Sequence, residues 1–473
     1  MFSTTGKSLL KVRWPGMAFG VCWLLSGHGV RAQSGTLDLS FDSVQGVGTN
    51  GLVYSIAAQN DGKIVVAGDF TTFGGASRTN VARLLPNGLV DNGFSSGSAI
   101  NSSFSYVNVV AVDHDGKVLV GGSFISSAGT NMIRLNTNGV LDTTFHVQTD
   151  DAIYAVAVQQ DGSMLVGGFF TLINGVSMSG LARFSSNGIV DPAFNPILSG
   201  DFGSSVFALA VQLDGKIVVG GSFTNVNGSG RTNLARLMPN GTSDTNFRNT
   251  RIQGGQFSPT VYAVGIDGST NIIAAGDFSS VNSTPSSNIC RFANSGILDS
   301  AFSDATGSDF AVNSLYVQPD GKILASGYFT EVNSKPHNYL VRFNLNGDID
   351  PDFKPTAEGA DAVIYCVTQQ ADNKVLIGGG FRSYDGIARY GIARLQNVTQ
   401  ISAPLLMSPS LSHGTFIVSV MTVNGKSYFL EAKSSLEDSN WVSFPAVLGD
   451  GTIKTLTDPA ATSSHKCYRA RVQ

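Results

Sequence analysis

Carboxylates, arginines, histidines and tyrosines supply most of the reactive chemistry open to this chain, and the first question is whether any recur at a spacing a reaction needs. Gly46-Val-Gly-Thr-Asn-Gly51 matches the glycine pattern of a dinucleotide-binding loop. Such a loop follows a strand and opens a helix, whereas this one leads into an apolar, strand-like run at residues 53–59, so it reads as a connection. Gly93-Phe-Ser-Ser-Gly97 has the GxSxG spacing of a nucleophile elbow, but no helical pattern follows Ser95. Asp113-His-Asp-Gly116 puts two carboxylates on a tight turn without the later Glu that completes a calcium loop. Beyond residue 32 the histidines His114, His146, His337, His413 and His465 are far apart, and none forms an HExxH or similar metal pairing. Carboxylates from distant segments could still meet in space for glycoside cleavage. That keeps an extracellular polysaccharide hydrolase or lyase open as an alternative.

Two residue types recur with strict regularity. Arg83, Arg134, Arg183, Arg236, Arg291, Arg342 and Arg394 are matched by Asp91, Asp142, Asp191, Asp244, Asp299 and Asp350. A position repeated this often makes a poor single site, so each guanidinium is expected to pair with carboxylate or carbonyl groups within or between repeats. Function should lie where the copies differ. Asp69, Asp277 and Tyr328 stand where other copies carry Ser123 and Ser222, and Arg78, Arg231 and His337 fall in variable loops. These six are the candidate ligand-binding residues, on loops expected to emerge on one face. No catalytic, cofactor-binding or metal-binding residue is assigned, and no cofactor is expected.

The elements that position these residues are written seven times. A terminal Phe recurs at Phe41, Phe94, Phe145, Phe194, Phe247, Phe302 and Phe353, in steps of 53, 51, 49, 53, 55 and 51 residues, near the length of a four-stranded propeller blade. Each copy opens with an apolar run that alternates small with large, as at Tyr154-Ala-Val-Ala-Val158, and reads as a strand buried between neighbouring blades. Asp-Gly turns at Asp115-Gly116, Asp161-Gly162, Asp214-Gly215 and Asp320-Gly321 follow, because a short hairpin needs residues that tolerate positive φ. The returning strand carries glycine pairs such as Gly121-Gly122 and Gly220-Gly221, where facing sheets approach closely. A third strand holds Ala-Arg-Leu, and a fourth is expected at Leu-Asp-x-x-Phe. The chain enters on an orphan fourth strand, residues 37–41, and its seventh copy ends at residues 392–395 without one. A ring in which the N-terminal strand completes the last blade leaves no edge open.

The run Gln212-Leu-Asp-Gly-Lys-Ile-Val-Val-Gly-Gly-Ser-Phe223, followed by Leu234-Ala-Arg-Leu237 and then Asp-x-x-Phe, resembles the delta-60 repeat of bacterial exported proteins. The resemblance spans residues 37–395. It implies a β-propeller and no general activity, and it brings no catalytic residues to carry over. Copies five (Ile266-Asp-Gly-Ser-Thr-Asn271) and seven (Asp372-Asn373) depart from the pattern at their first turn.

The expected architecture is therefore all-β: a seven-bladed β-propeller at residues 33–397, closed by its N-terminal strand, then a linker and small β-sandwich at 398–473. Lys7, Lys11 and Arg13 precede an apolar run at residues 17–25, with Val30-Arg31-Ala32 as a cleavage site, so residues 1–32 read as a signal peptide. Their removal leaves 26 Lys and Arg against 34 Asp and Glu, a net charge of −8 that argues against nucleic acid or anionic lipid. No membrane span is expected in the mature chain. Cys290 and Cys366 read as small core fillers, and with Cys467 they show no disulfide or zinc spacing. In the tail, residues 402–409 read as a linker, and the strands that follow suggest an immunoglobulin- or fibronectin-like module with Trp441 in its core. The functional expectation is a secreted or cell-surface monomer, a scaffold that binds a glycan or protein outside the cell. The alternatives are the polysaccharide enzyme and an architectural adhesin.

Overall fold

A computed structural model describes residues 33–41, 48–97, 99–100, 105–127, 129–200, 203–256, 258–397, 406–412, 414–422, 427–434, 440–449, 453–461 and 467–472. The proposed signal peptide and the start of the linker lie outside them. The chain forms two compact units, one at residues 32–398 and one covering the tail from 399.

The first unit is a propeller of seven three-stranded antiparallel sheets. In blade 1 the strands are Val53–Ala58, Ile64–Gly68 and Val81–Leu84, and blades 2 to 7 repeat that order, ending with Ile364–Gln369, Val375–Gly379 and Ile392–Leu395. The first five residues of every middle strand are buried, because each is covered on both faces by neighbouring blades. In blade 4 the glycine pair shows why side chains are excluded there. A Cβ on Gly220 would lie 2.6 Å from Val261 of the next blade, and one on Gly221 would lie 2.0 Å from the Ser205 carbonyl.

The expected fourth strand is reduced to a single bridge per blade, such as Leu84 with Val90 or Leu237 with Ser243. The cause is the Asp that follows. Asp91 Oδ1 accepts the Gly93 amide at 2.9 Å and Asp244 Oδ1 accepts the Asn246 amide at 2.9 Å, so the chain turns out of the ladder. In blade 5 the same Asp caps a one-turn helix, Ser300–Ala305. The turn delivers the repeat Phe beneath the repeat Arg: the Arg236 guanidinium carbon lies 4.8 Å from the Phe247 ring centre, and Arg83 lies 4.5 Å from Phe94. Each Arg also donates to its Asp, at 2.9 Å for Arg236 Nε and Asp244. It then reaches the next blade, from Arg183 to the Pro239 carbonyl, from Arg236 to Asn294 and from Arg394 back to Pro86 of blade 1. Seven such clamps run around the perimeter, binding both within and between blades.

Residues 34–41 pack against blade 7. Leu37 bridges Leu395, the Asp38 amide donates to the Arg394 carbonyl at 2.8 Å, and the Tyr384 hydroxyl donates to the Gly35 carbonyl at 2.7 Å. The Asp38 carboxylate accepts from Arg394 Nε and Lys374, both at 2.8 Å. Burial raises the Asp38 pKa, but donation from Lys374 and Ser40 and the charge of Arg394 outweigh it, and the group is lowered from 3.8 to about 2.

In the second unit, Leu406–Ser412, Thr415–Met421 and Ile453–Asp458 form one sheet, and Ser427–Lys433 pairs with Val442–Ser443, Val447–Leu448 and Cys467–Val472 in another. Two expectations are corrected here. Residues 406–409, part of the expected linker at 402–409, instead belong to an edge strand, Leu406–Ser412, that accommodates Pro409 at a bulge, where no ladder donor is needed. Trp441 is half-buried outside the core of Val418, Val420, Tyr428, Leu430 and Leu456. Its ring is held between Lys433 Nζ at 4.9 Å and the Arg469 guanidinium carbon at 4.2 Å.

Candidate functional site

Every inner strand of the propeller carries a β-bulge one or two residues from its start. In blade 1, Val53 pairs with Gly68 and Ser55 with Ala67, so Tyr54 has no partner across the ladder. The same slip frees Asn108, Tyr154, Phe207, Tyr262, Asn313 and Tyr365 in blades 2 to 7. A bulge redirects its side chain away from the sheet face. All seven freed side chains converge on one cavity of about 770 Å³ at the mouth of the central channel, completed by Gln256, Asp277, Phe310, Ala311 and Tyr328.

The aromatic members form two arcs. Tyr154 and Phe207 have ring centres 4.7 Å apart, and Phe207 meets Tyr262 edge-on at 5.4 Å. Tyr54 meets Tyr365 at 5.3 Å and Tyr365 meets Tyr328 at 5.9 Å, both edge-on. The amides of Asn108 and Asn313 interrupt the ring between the arcs, and Asn108 Nδ2 donates to the Ile153 carbonyl of the next blade at 3.0 Å. Burial, with the nearby Asp69 carboxylate, pushes the Tyr54 phenol up to about 12; burial with the charge of Asp151 raises Tyr154, burial with Asp277 raises Tyr262, and burial with a hydrogen bond to Tyr328 raises Tyr365. Tyr54, Tyr154, Tyr262 and Tyr365 are thus neutral hydroxyls, able to donate and accept.

The six residues singled out from sequence divide into two groups. Asp277 and Tyr328 line the cavity, Asp277 buried with its Oδ1 accepting the Gln256 amide at 2.9 Å and Tyr328 exposed at the rim. Asp69 stands behind them, one oxygen accepting the Leu52 amide and the other 3.5 Å from the Tyr54 hydroxyl. Arg78, Arg231 and His337 lie outside the lining, because a small hairpin after the second strand, such as Thr72–Phe73 with Ala76–Ser77, carries their loops toward the turn beyond the third strand. Arg78 donates to Asn92 at 3.1 Å, and Arg231 is buried, donating to the Asp244 and Phe247 carbonyls at 3.0 and 2.9 Å. His337 is half-buried, its imidazole pKa lowered by burial and by Lys335. Among the described residues, no cluster of three or more His, Cys, Asp or Glu could hold a metal, and no helix is long and apolar enough to cross a membrane.

A family model for a beta-propeller domain of unknown function, DUF5122, matches residues 59–94, 114–145, 159–194, 212–247, 271–302, 318–353 and 370–398. The chain belongs to this family. Six of the matched segments run from about the first hairpin turn of a blade to its repeat Phe and the seventh stops at residue 398, so the DUF5122 signature covers the perimeter clamp of blades 1 to 6 and omits every bulged residue at the channel mouth. No curated protein sequence matches the chain. Among solved structures, it is similar to the WD40 beta propeller domain of Doa1, at 13% identity over 78% of this chain and 97% of that one, with a TM-score of 0.46. It is also similar to Sqt1 from Chaetomium thermophilum, at 13% identity over 78% and 99% with a TM-score of 0.42. The extracellular domain of a hybrid two component system, BT3049 from B. thetaiotaomicron, matches at 12% identity over 86% of this chain and 55% of that one, with a TM-score of 0.43.

Proposed function

We propose that this DUF5122 propeller is an exported, non-catalytic binding scaffold whose ligand, a glycan met outside the cell, seats in the aromatic mouth of the central channel. The observation that carries the reading is the convergence of five aromatic and two amide side chains from equivalent bulges on one cavity. A pyranose ring presents an apolar C–H face that stacks on Tyr and Phe and a girdle of hydroxyls that needs amide, phenol and carboxylate partners, and this lining offers both. The cavity volume falls within the ~300–1,000 Å³ usual for ligand sites. Export rests on the basic and apolar N-terminal pattern, and the tail is taken as an accessory β-sandwich of fibronectin type.

The test is thermal unfolding of the secreted protein against a panel of purified oligosaccharides, with reducing-end release followed in the same wells. Tyrosine emission is the probe, because Trp441 belongs to the tail. A binder at ~100 times its Kd raises stability by about 2.7 kcal/mol. The expected result is such a rise without product, abolished by Tyr154→Ala or Phe207→Ala. Released product would replace this reading with the enzymatic one. No rise with any oligosaccharide, or a rise indifferent to both substitutions, would refute it.

A further inference from the structure

The charge and face chemistry of the mouth narrow the ligand further, given that the mouth is the binding site. Seven of its twelve lining residues are aromatic: Tyr54, Tyr154, Phe207, Tyr262, Phe310, Tyr328 and Tyr365. Among the described residues Asp277 is the one charged residue in the lining, 5% exposed, and Asp69 occupies the equivalent position in blade 1 behind Tyr54. No Lys, Arg or His lines the cavity among the described residues. At the perimeter the same protein covers each repeat Phe with its own guanidinium, as Arg394 covers Phe41 at 4.6 Å and Arg291 covers Phe302 at 4.4 Å. The mouth has the aromatic faces and the carboxylates of such an arrangement without a basic residue in its lining.

We infer that the channel mouth selects a glycan bearing free ammonium groups, an amino sugar polymer with unacetylated amines. An ammonium held against ring faces gains from their quadrupoles, and more so once water is displaced. Asp277, buried at the cavity wall, adds a charge-assisted hydrogen bond. A uronate or sulfate there would meet the Asp277 carboxylate, with Asp69 behind Tyr54, and the negative faces of the rings, so acidic glycans are rejected by repulsion. The neutral phenols accept from the ammonium and donate to sugar oxygens, and the Asn108 and Asn313 amides serve the uncharged part of the chain.

The experiment is isothermal titration of the full secreted protein with glucosamine oligosaccharides, their N-acetylated counterparts, a neutral glucan and a uronic acid oligomer, below the amine pKa and at two salt concentrations. The free-amine oligomer is expected to bind about tenfold or more tighter than the acetylated one, and to weaken as salt rises. Asp277→Asn keeps the acceptor for the Gln256 amide and is expected to erase most of that preference while leaving acetylated oligomer affinity unchanged. Equal affinity for amine and acetamide, or tighter binding of the uronic acid oligomer, would overturn this inference and leave the mouth standing as a glycan site. Absence of binding by every oligosaccharide would overturn both readings. An amine preference untouched by Asp277→Asn and by Tyr154→Ala would place amine binding elsewhere and overturn the assignment to the mouth.

Discussion

Asp38→Asn is the perturbation that tests how the two ends of the propeller are joined. Asp38 lies 356 residues from Arg394 in sequence and accepts from both Arg394 and Lys374, with its side chain 3% exposed. Asn keeps the shape and the Oδ1 acceptor used by Ser40, but it removes the charge that the buried Arg394 and the partly exposed Lys374 face. Breaking one side of a buried pair costs about 3–5 kcal/mol, so a loss of about 3 kcal/mol at pH 7 is expected. The pH dependence sharpens the test. The carboxyl is lowered from 3.8 to about 2 on folding, so its contribution is fully present above about pH 4 and is lost as pH falls through about 2. At about 1.4 kcal/mol per unit, the gap between wild type and variant should shrink by about 2 kcal/mol over that window. Urea unfolding followed by tyrosine emission, at pH 7 and in steps from 4 to 2, measures both. A gap below about 1 kcal/mol at pH 7, or one that stays constant with pH, would refute the view that residues 34–41 act as the outer edge of blade 7.

Three further outcomes are expected. Asn288 adopts φ +67°, accepts the Phe278 amide and donates to the Ser308 and Phe310 carbonyls of the next blade, so Asn288→Ala should cost about 2–3 kcal/mol in urea unfolding. Tyr339 holds the matching place in blade 6 at φ +64°, a conformation that strains a bulky residue, so Tyr339→Asn should stabilise by about 1 kcal/mol, read as a rise in Tm. Arg231→Met should cost about 2 kcal/mol through two lost carbonyl partners while leaving oligosaccharide affinity in titration unchanged, because Arg231 lies outside the cavity lining.

Much of the fold could be read from the chain because its repeats are locally self-consistent. The Asp-Gly turns do sit at positive φ, as at Gly116 and Gly215, and the once-per-copy Arg does pair with the once-per-copy Asp. The outer strand is shorter than the Leu-Asp-x-x-Phe pattern suggests: Asp91 and Asp244 fit a strand by sequence, but an Asp two residues before an amide it can accept is a turn former. The site was less legible for a related reason. Tyr154 and Phe207 fell inside runs whose alternation signals burial between blades, and a bulge breaks that period without leaving a mark of its own. One signal was available: the residue after the opening Val or Ile of every inner strand is aromatic or Asn in all seven copies. Asp277 and Tyr328 were within reach because they vary where neighbouring copies hold Ser. Arg78, Arg231 and His337 vary too, but their hairpins lead away from the channel.

The inner-strand bulge also separates what holds the propeller together from what it can recognise. The freed residue makes no ladder pair, so Tyr54, Asn108, Tyr154, Phe207, Tyr262, Asn313 and Tyr365 can each be exchanged without altering strand register or the perimeter clamps. The mouth is then a seven-character word written on an invariant ring. A library randomised at those positions alone should fold as the parent does, and a duplicated blade would add its own character to the word.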